Sequence, residues 1–243
     1  MNLILIAPEE VGPKGEVTLG GRRAEHVRTI LRAKAGQSLR VGQLNGPTGT
    51  AMIKSVDPDA IALRCVFGAD QPAPPRIDLL LALPRPKTMK RLWAPLASLG
   101  VRHLILTNAE KVERFYFDSH VLDAAFYTDL LQEGLEQAMD TCMPTVHIHR
   151  QFKPLIEDHL QALCPASTRL VADPGANERI AEHLDGNTHE RILLAVGPEG
   201  GWSAFERELL QTHGFNAVSM GPRTLRTDVA CIALLALANQ ALA

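Results

Sequence analysis

From Ile77 to the end of the chain, short runs of consecutive apolar residues alternate with segments of helical period. The runs are IDLLLAL, RHLILT, TVHIHR, TRLVAD, RILLAVG and NAVSMG, and the helical segments lie near 87–98, 121–138, 153–163, 177–184, 203–213 and 227–241. A strand that is apolar at nearly every position has no face to offer water, so it must be covered on both sides. The regular β-α alternation then predicts an α/β fold, an open parallel sheet with helices on both faces. In sheets of this class ligands bind where strands end, at their carboxyl edge. The loops behind the strands are therefore where function is sought.

The first part of the chain follows another rule. Between Met1 and about Gly68 the strand candidates LILI, EVTL, SLRVGQL, GTAMIKSV and AIALRCVF are short and separated by glycine or Asp-Pro turns, as in small barrels. One helix interrupts them, RRAEHVRTILRA, with Ala24, Val27, Ile30 and Leu31 predicted as its apolar face. GADQPAPPR follows, and three prolines in nine residues can extend neither sheet nor helix. These features divide the chain into a β-rich domain (1–70), a linker (71–76) and an α/β domain (77–243).

Charge and cysteine usage narrow the function classes. The start, MNLILIAPEE, has no basic region before its short apolar patch, and the longest apolar run, ACIALLALA, is too short to span a bilayer. No membrane association is expected, and a cytoplasmic location is. Cys65, Cys142, Cys164 and Cys231 are scattered without a C-x-x-C pair, which suits burial in a reducing compartment and argues against a metal site. His147 and His149 alternate on a predicted strand and are read as surface polar positions. The formal net charge of −2 does not describe a generic nucleic-acid binder. The basic residues are nevertheless clustered: Arg22, Arg23, Arg28, Arg32, Lys34 and Arg40 oppose the single acid Glu25, and PRPKTMKR holds Arg85, Lys87, Lys90 and Arg91 with no acid. Each cluster is either a solvated face or a local contact for RNA phosphates.

Two loops at predicted strand ends carry the strongest local signals. In LLAVGPEGGWSAFE the apolar run 193–196 stops at Gly197-Pro198-Glu199-Gly200-Gly201, and Ser203-Ala204-Phe205-Glu206 has the S-x-x-E form of a capping box that starts a helix near Ser203. The second loop, Met220-Gly221-Pro222-Arg223-Thr224-Leu225-Arg226, follows the next strand. Neither G-x-G-x-x-G after the strand at Ile77 nor G-x-x-x-x-G-K-[ST] occurs, so dinucleotide-binding and P-loop chemistry are not supported. Loops of glycine and proline point to a ligand held by main-chain groups that carries its own reactive group.

V-G-P-E-G-G-W-S-x-x-E (196–206) followed by M-G-P-R-T-L-R-T-D-V-A (220–230) closely resembles the paired signatures of the RsmE-type 16S ribosomal RNA uracil-N3 methyltransferases of the SPOUT superfamily. The resemblance extends over the whole chain and includes L-G-V at Leu99, Gly100 and Val101. The sequence departs from the family pattern at Ser98, after Glu136-Gln137 and at Asp228. The first two departures leave open a diverged paralogue with another RNA target, and a non-catalytic ribosome-assembly factor is a further alternative.

The resemblance implies a SPOUT-like trefoil-knotted parallel sheet preceded by a PUA-like β-barrel that recognises RNA. It implies S-adenosyl-L-methionine as cofactor, with Gly197, Glu199, Gly200, Gly201, Met220, Gly221 and Leu225 as its bed. It also implies 16S rRNA of the small ribosomal subunit as substrate, for which the basic clusters offer Arg22, Arg23, Arg28, Arg32, Arg85 and Lys87 as candidate contacts. Arg223 and Arg226 are the catalytic candidates, and they either stabilise charge on the uracil or brace the loop. The general base is not identified. In TDVACIALLALANQALA almost every position is apolar or small, which together with the resemblance implies a homodimer formed through the last helix.

Overall fold

A computed structural model describes residues 3–165, 167–183 and 191–242. The chain forms two compact units, Met1–Pro74 with Gln132–Met143, and Pro75–Leu131 with Pro144–Ala243.

The first unit is a curled five-stranded mixed sheet ordered β1-β3-β4-β5-β2, from strands β1 (Ile4–Ile6), β2 (Glu16–Leu19), β3 (Ser38–Gln43), β4 (Thr48–Val56) and β5 (Ile61–Phe67). β1 runs parallel to β3, whereas β3, β4, β5 and β2 pair antiparallel. Alternate residues of these strands, among them Val17, Leu19, Ala51, Ile53, Ile61 and Leu63, turn inward to make the core. Helix α1 (Gly21–Thr29) adds Ala24 and Val27 to it. Ile30 and Leu31, expected on the same face, are exposed. The helix stops before it can bury them, because Arg32 turns into the left-handed region (φ 49°) and the Ala33 N–H bonds back to the Val27 carbonyl.

Residues Gln132–Met143 belong to this unit although the proline-rich linker would place them in the second domain. Helix α3 (Ala124–Ala138) ends where Met139 takes φ 61° and the Asp140 N–H reaches back to the Leu135 carbonyl. The buried Glu136 carboxylate accepts from the Leu5 N–H at 3.4 Å, and the Thr141 hydroxyl donates to the Gly46 carbonyl at 2.7 Å. The residues that depart from the family pattern after Gln137 are thus structural in this unit.

The second unit holds a six-stranded, wholly parallel sheet ordered β11-β9-β10-β6-β7-β8. Its strands are β6 (Ile77–Ala82), β7 (Val101–Thr107), β8 (Thr145–His149), β9 (Thr168–Ala172), β10 (Ile192–Val196) and β11 (Phe215–Val218). All six match the predicted apolar runs, and β6 and β10 are buried at every position. Helix α2 (Pro86–Ser98) buries Met89, Leu92, Trp93, Leu96 and Ala97, one stripe at helical spacing. Phe152–Pro154 (α4) and Leu160–Leu163 (α5) flank a π-helical turn at Leu155–His159, and α6 (Ala204–Thr212) follows β10. α7 (Thr227–Leu242) packs on α2, β10 and β6 through Cys231, Leu234, Leu235 and Ala238. The helix predicted near 177–184 is reduced to a 3-10 turn at Ile180–His183, and residue 184 lies outside the described residues. His147 and His149, read from sequence as surface positions, are half-buried, and the His147 ring stacks on His103.

Candidate cofactor site

β9, β10 and β11 are neighbours in the sheet, so their carboxyl ends open on one place. The crossovers bring together Ala172-Asp173-Pro174 after β9, Gly197–Trp202 after β10 and Ser219–Leu225 after β11, around a cavity of about 280 Å³. Thr227, Ala230 and Leu234 of α7 complete its wall. Gly197, Glu199, Gly200, Gly201, Met220, Gly221, Leu225 and Arg223, singled out from sequence, all line this cavity.

The first loop is held from three directions. Glu206 and Ser203 form the expected capping box, with the Ser203 N–H to Glu206 Oε2 at 2.8 Å and the Glu206 N–H to Ser203 Oγ at 3.4 Å. Such a cap is worth about 1 kcal/mol. The other oxygen of the buried Glu206 accepts the Glu110 N–H at 2.7 Å, which ties the start of α6 to the loop behind β7. Lys111 Nζ donates to the Gly200 carbonyl at 2.6 Å, and the Arg85 N–H reaches Glu199 Oε1 at 3.5 Å. Glu199 therefore faces the amino end of α2, where a carboxylate is favoured.

Two glycines have specific reasons. A Cβ on Gly197 would lie 3.1–3.3 Å from the Trp202 indole, so glycine lets that buried ring close over the strand end without being pushed aside. Gly201 takes φ +70° where the Gly201 N–H turns back to the Pro198 carbonyl, a conformation costly for residues with a Cβ.

The second loop separates the two arginines. Arg226 donates to Asp228 Oδ2 at 3.0 Å, and Arg91 from α2 donates to the same oxygen at 2.7 Å. Arg223 is exposed at the cavity. Burial pushes the Asp228 carboxyl up, but the Arg226 charge, the Val229 N–H and Arg91 outweigh it and hold the group below the usual carboxylate range. A carboxylate so paired is a poor proton acceptor near neutral pH, and its place in the first turn of α7 gives it a structural role.

Outside the cavity, Arg85 and Lys87 are exposed at the start of α2. In the first unit, Arg28 and Arg32 are exposed and Arg22 lies half-exposed, 3.7 Å from Glu136. Arg23 is turned inward, donating to the Leu5 carbonyl at 2.9 Å and to both Glu10 oxygens. Its guanidinium is committed to the fold. Sequence reasoning did not find Asp173, Pro174 or Trp202. The signal for the first two was present, since TRLVAD runs into Pro-Gly at a strand end, but their convergence with the glycine loops depends on strand order.

The cavity suits a nucleoside cofactor. Its walls are main chain and apolar side chains, including Val196, Met220, Leu225 and Leu234, which fit the faces and edge of a purine. The Asp173 carboxylate, with Oδ1 fixed by the Gly175 N–H at 2.8 Å, offers an acceptor for hydroxyl or ammonium groups.

The RNA methyltransferase domain family model matches residues 71–239. The ribosomal RNA small subunit methyltransferase E of Treponema pallidum is 30% identical over 242 residues, covering 97% of this chain and 90% of that protein. Methyltransferase E 1 of Borreliella burgdorferi is 26% identical, covering 96% and 95%. The crystal structure of ribosomal RNA small subunit methyltransferase E from Neisseria gonorrhoeae bound to S-adenosyl methionine superposes with a TM-score of 0.79 at 19% identity, covering 99% of this chain and 97% of that one. Motif, sheet order and cavity thus agree with relatedness along nearly the full length, and the chain belongs to the RNA methyltransferase family of the small-subunit methyltransferase E type.

Proposed function

We propose that this protein is an S-adenosylmethionine-dependent methyltransferase that modifies N3 of a uridine in 16S rRNA of the small ribosomal subunit. The observation that carries this reading is the cavity behind β9, β10 and β11, where both glycine loops and Arg223 meet in a chain of this family. When bound, S-adenosylmethionine supplies an electrophilic methyl group together with a neutral thioether leaving group. The chain's own tasks are to align uracil N3 with that methyl and to stabilise negative charge on the ring as the N3 proton departs. Arg223, exposed at the cavity, takes the second task. Arg226 braces the loop through Asp228, and no carboxylate at the cavity is assigned as base.

The finer architecture belongs to the same proposal. A PUA-like barrel is supported by the curled sheet of the first unit, and its role in RNA recognition by exposed Arg28 and Arg32 with half-exposed Arg22. A trefoil knot in the second unit, implied by the resemblance, belongs to this proposal. A homodimer through α7 is supported by its outward stripe of Val229 (47% exposed), Ile232 (41%) and Leu237 (38%), opposite the buried Leu234 and Leu235. Ile232→Glu should convert dimer to monomer in sedimentation without unfolding; a wild-type monomer at micromolar concentration would remove the dimer. The enzyme acts in the cytoplasm in this reading. Mass spectrometry of rRNA nucleosides from cells with and without the gene tests the function. Loss of one 3-methyluridine from the small subunit supports it, and an unchanged nucleoside profile contradicts it.

A further inference from the structure

A second cavity of about 350 Å³ lies at the carboxyl ends of β7 and β8, lined by Asn108, Arg114, Phe152, Lys153 and Phe205 among others. Beside the exposed Glu110 and a Glu206 carboxylate already held by the Glu110 and Ser203 N–H groups, its side chains combine three chemistries. Phe205, 52% exposed, presents an aromatic face to solvent although α6 has a buried side available. Arg114 and Lys153 are exposed cations, and Lys153 makes a surface ion pair at 3.8 Å with Glu157 on the next turn. Asn108, on the lining, has its Oδ1 shielded from solvent with no hydrogen-bond partner among the described residues, which leaves one acceptor unsatisfied beside the cavity.

The cavity is mechanically joined to the cofactor site. Phe152, on its wall, packs against Trp202 of the cofactor cavity with ring centroids 5.3 Å apart. Glu206 and Lys111 link the loop behind β7 to the glycine loop.

We infer that this second cavity binds a nucleotide flanking the modified one, with its base stacked on Phe205, its edge read by Asn108 and its phosphate on Arg114 and Lys153. An aromatic face, two cations and an amide edge are what single-stranded RNA recognition uses. The inference rests on the proposed RNA methyltransferase function, and binding and transfer are measured separately so that either can fail alone. Undermethylated small ribosomal subunits from cells lacking the gene serve as the probe, with full-length protein. Phe205→Ala should weaken subunit binding about tenfold, the scale of one lost base stack. Phe205→Tyr should restore it, and calorimetric affinity for S-adenosylmethionine should not move. Arg114→Gln with Lys153→Gln should lower the salt dependence of binding by up to two phosphate contacts. Unchanged subunit affinity in both variants overturns the nucleotide cavity. Loss of affinity in the variants with no methyl transfer by the wild type sustains the cavity and removes the methyltransferase reading.

Discussion

The two ends of the parallel sheet solve opposite problems with polar groups. At the amino end, charge is sealed inside. Asp78 on β6 is fully buried, pairs with the Arg191 guanidinium at the start of β10, and accepts the His103 N–H at 3.2 Å. His103 Nδ1 lies 3.0 Å from His147 Nε2, and burial pushes the neighbouring Cys164 thiol up to about 12. At the carboxyl end polar groups of main chain and side chains are arranged around open cavities, and Glu206 and Lys111 tie the loops together. The amino end uses polarity for fixity, the carboxyl end for recognition. Stability and ligand binding should therefore separate when each end is altered.

The largest effect is expected at the sealed end. Arg191→Met leaves Asp78 buried without its partner and should cost about 3–5 kcal/mol of stability, read by denaturant unfolding. Adding Asp78→Leu should recover most of that loss, because the desolvated charge is then gone. Cofactor affinity of the folded protein should stay the same throughout; a double variant as unstable as the single one would show that the pair is not the source.

A smaller effect with the opposite profile is expected at the open end. Gly197→Val places a branched side chain against the Trp202 indole and should displace it. Affinity for S-adenosylmethionine should fall at least about tenfold, whereas overpacking should cost about 1–3 kcal/mol of stability. Calorimetry on folded variant with wild-type affinity would detach the glycine loop from the site.

The smallest effect concerns pH. Burial, reinforced by the Arg191 and Arg102 charges and opposed by Asp78, lowers the His103 pKa, and burial with His103 lowers that of His147. The unfolded chain then takes up protons first as pH falls below about 6.5, the ordinary histidine value. Stability from keeping these rings neutral is present above that pH and is lost as pH falls toward the depressed folded values. His147→Gln should flatten this slope below about pH 6.5. An identical slope in the variant would assign the pH dependence elsewhere.

Much of this contrast was legible in sequence where it depended on local period and local chemistry. The apolar runs specified six strands, Ser203 with Glu206 specified the start of α6, and the glycine loops marked one wall of the cofactor cavity. What escaped was set by contacts far apart in the chain. β9 lies between β11 and β10, and that order brings Asp173 to the site. Asp78 looked like one polar residue in an apolar run, because its partner Arg191 is 113 positions away. Ile30 and Leu31 fitted a helical face that the turn at Arg32 ends too early. Glu136 and Thr141 read as part of the second domain, since the hydrogen bonds that bind them to the first cross long sequence separations.

The most direct test of the open end as a methyl-transfer site uses purified protein, methyl-labelled S-adenosylmethionine and undermethylated small subunits, with the rRNA digested to nucleosides. Label should appear in 3-methyluridine, with Arg223→Gln slowing transfer about 100-fold while cofactor affinity is unchanged. Label in a different nucleoside, or wild-type transfer by the Arg223→Gln variant, would contradict it.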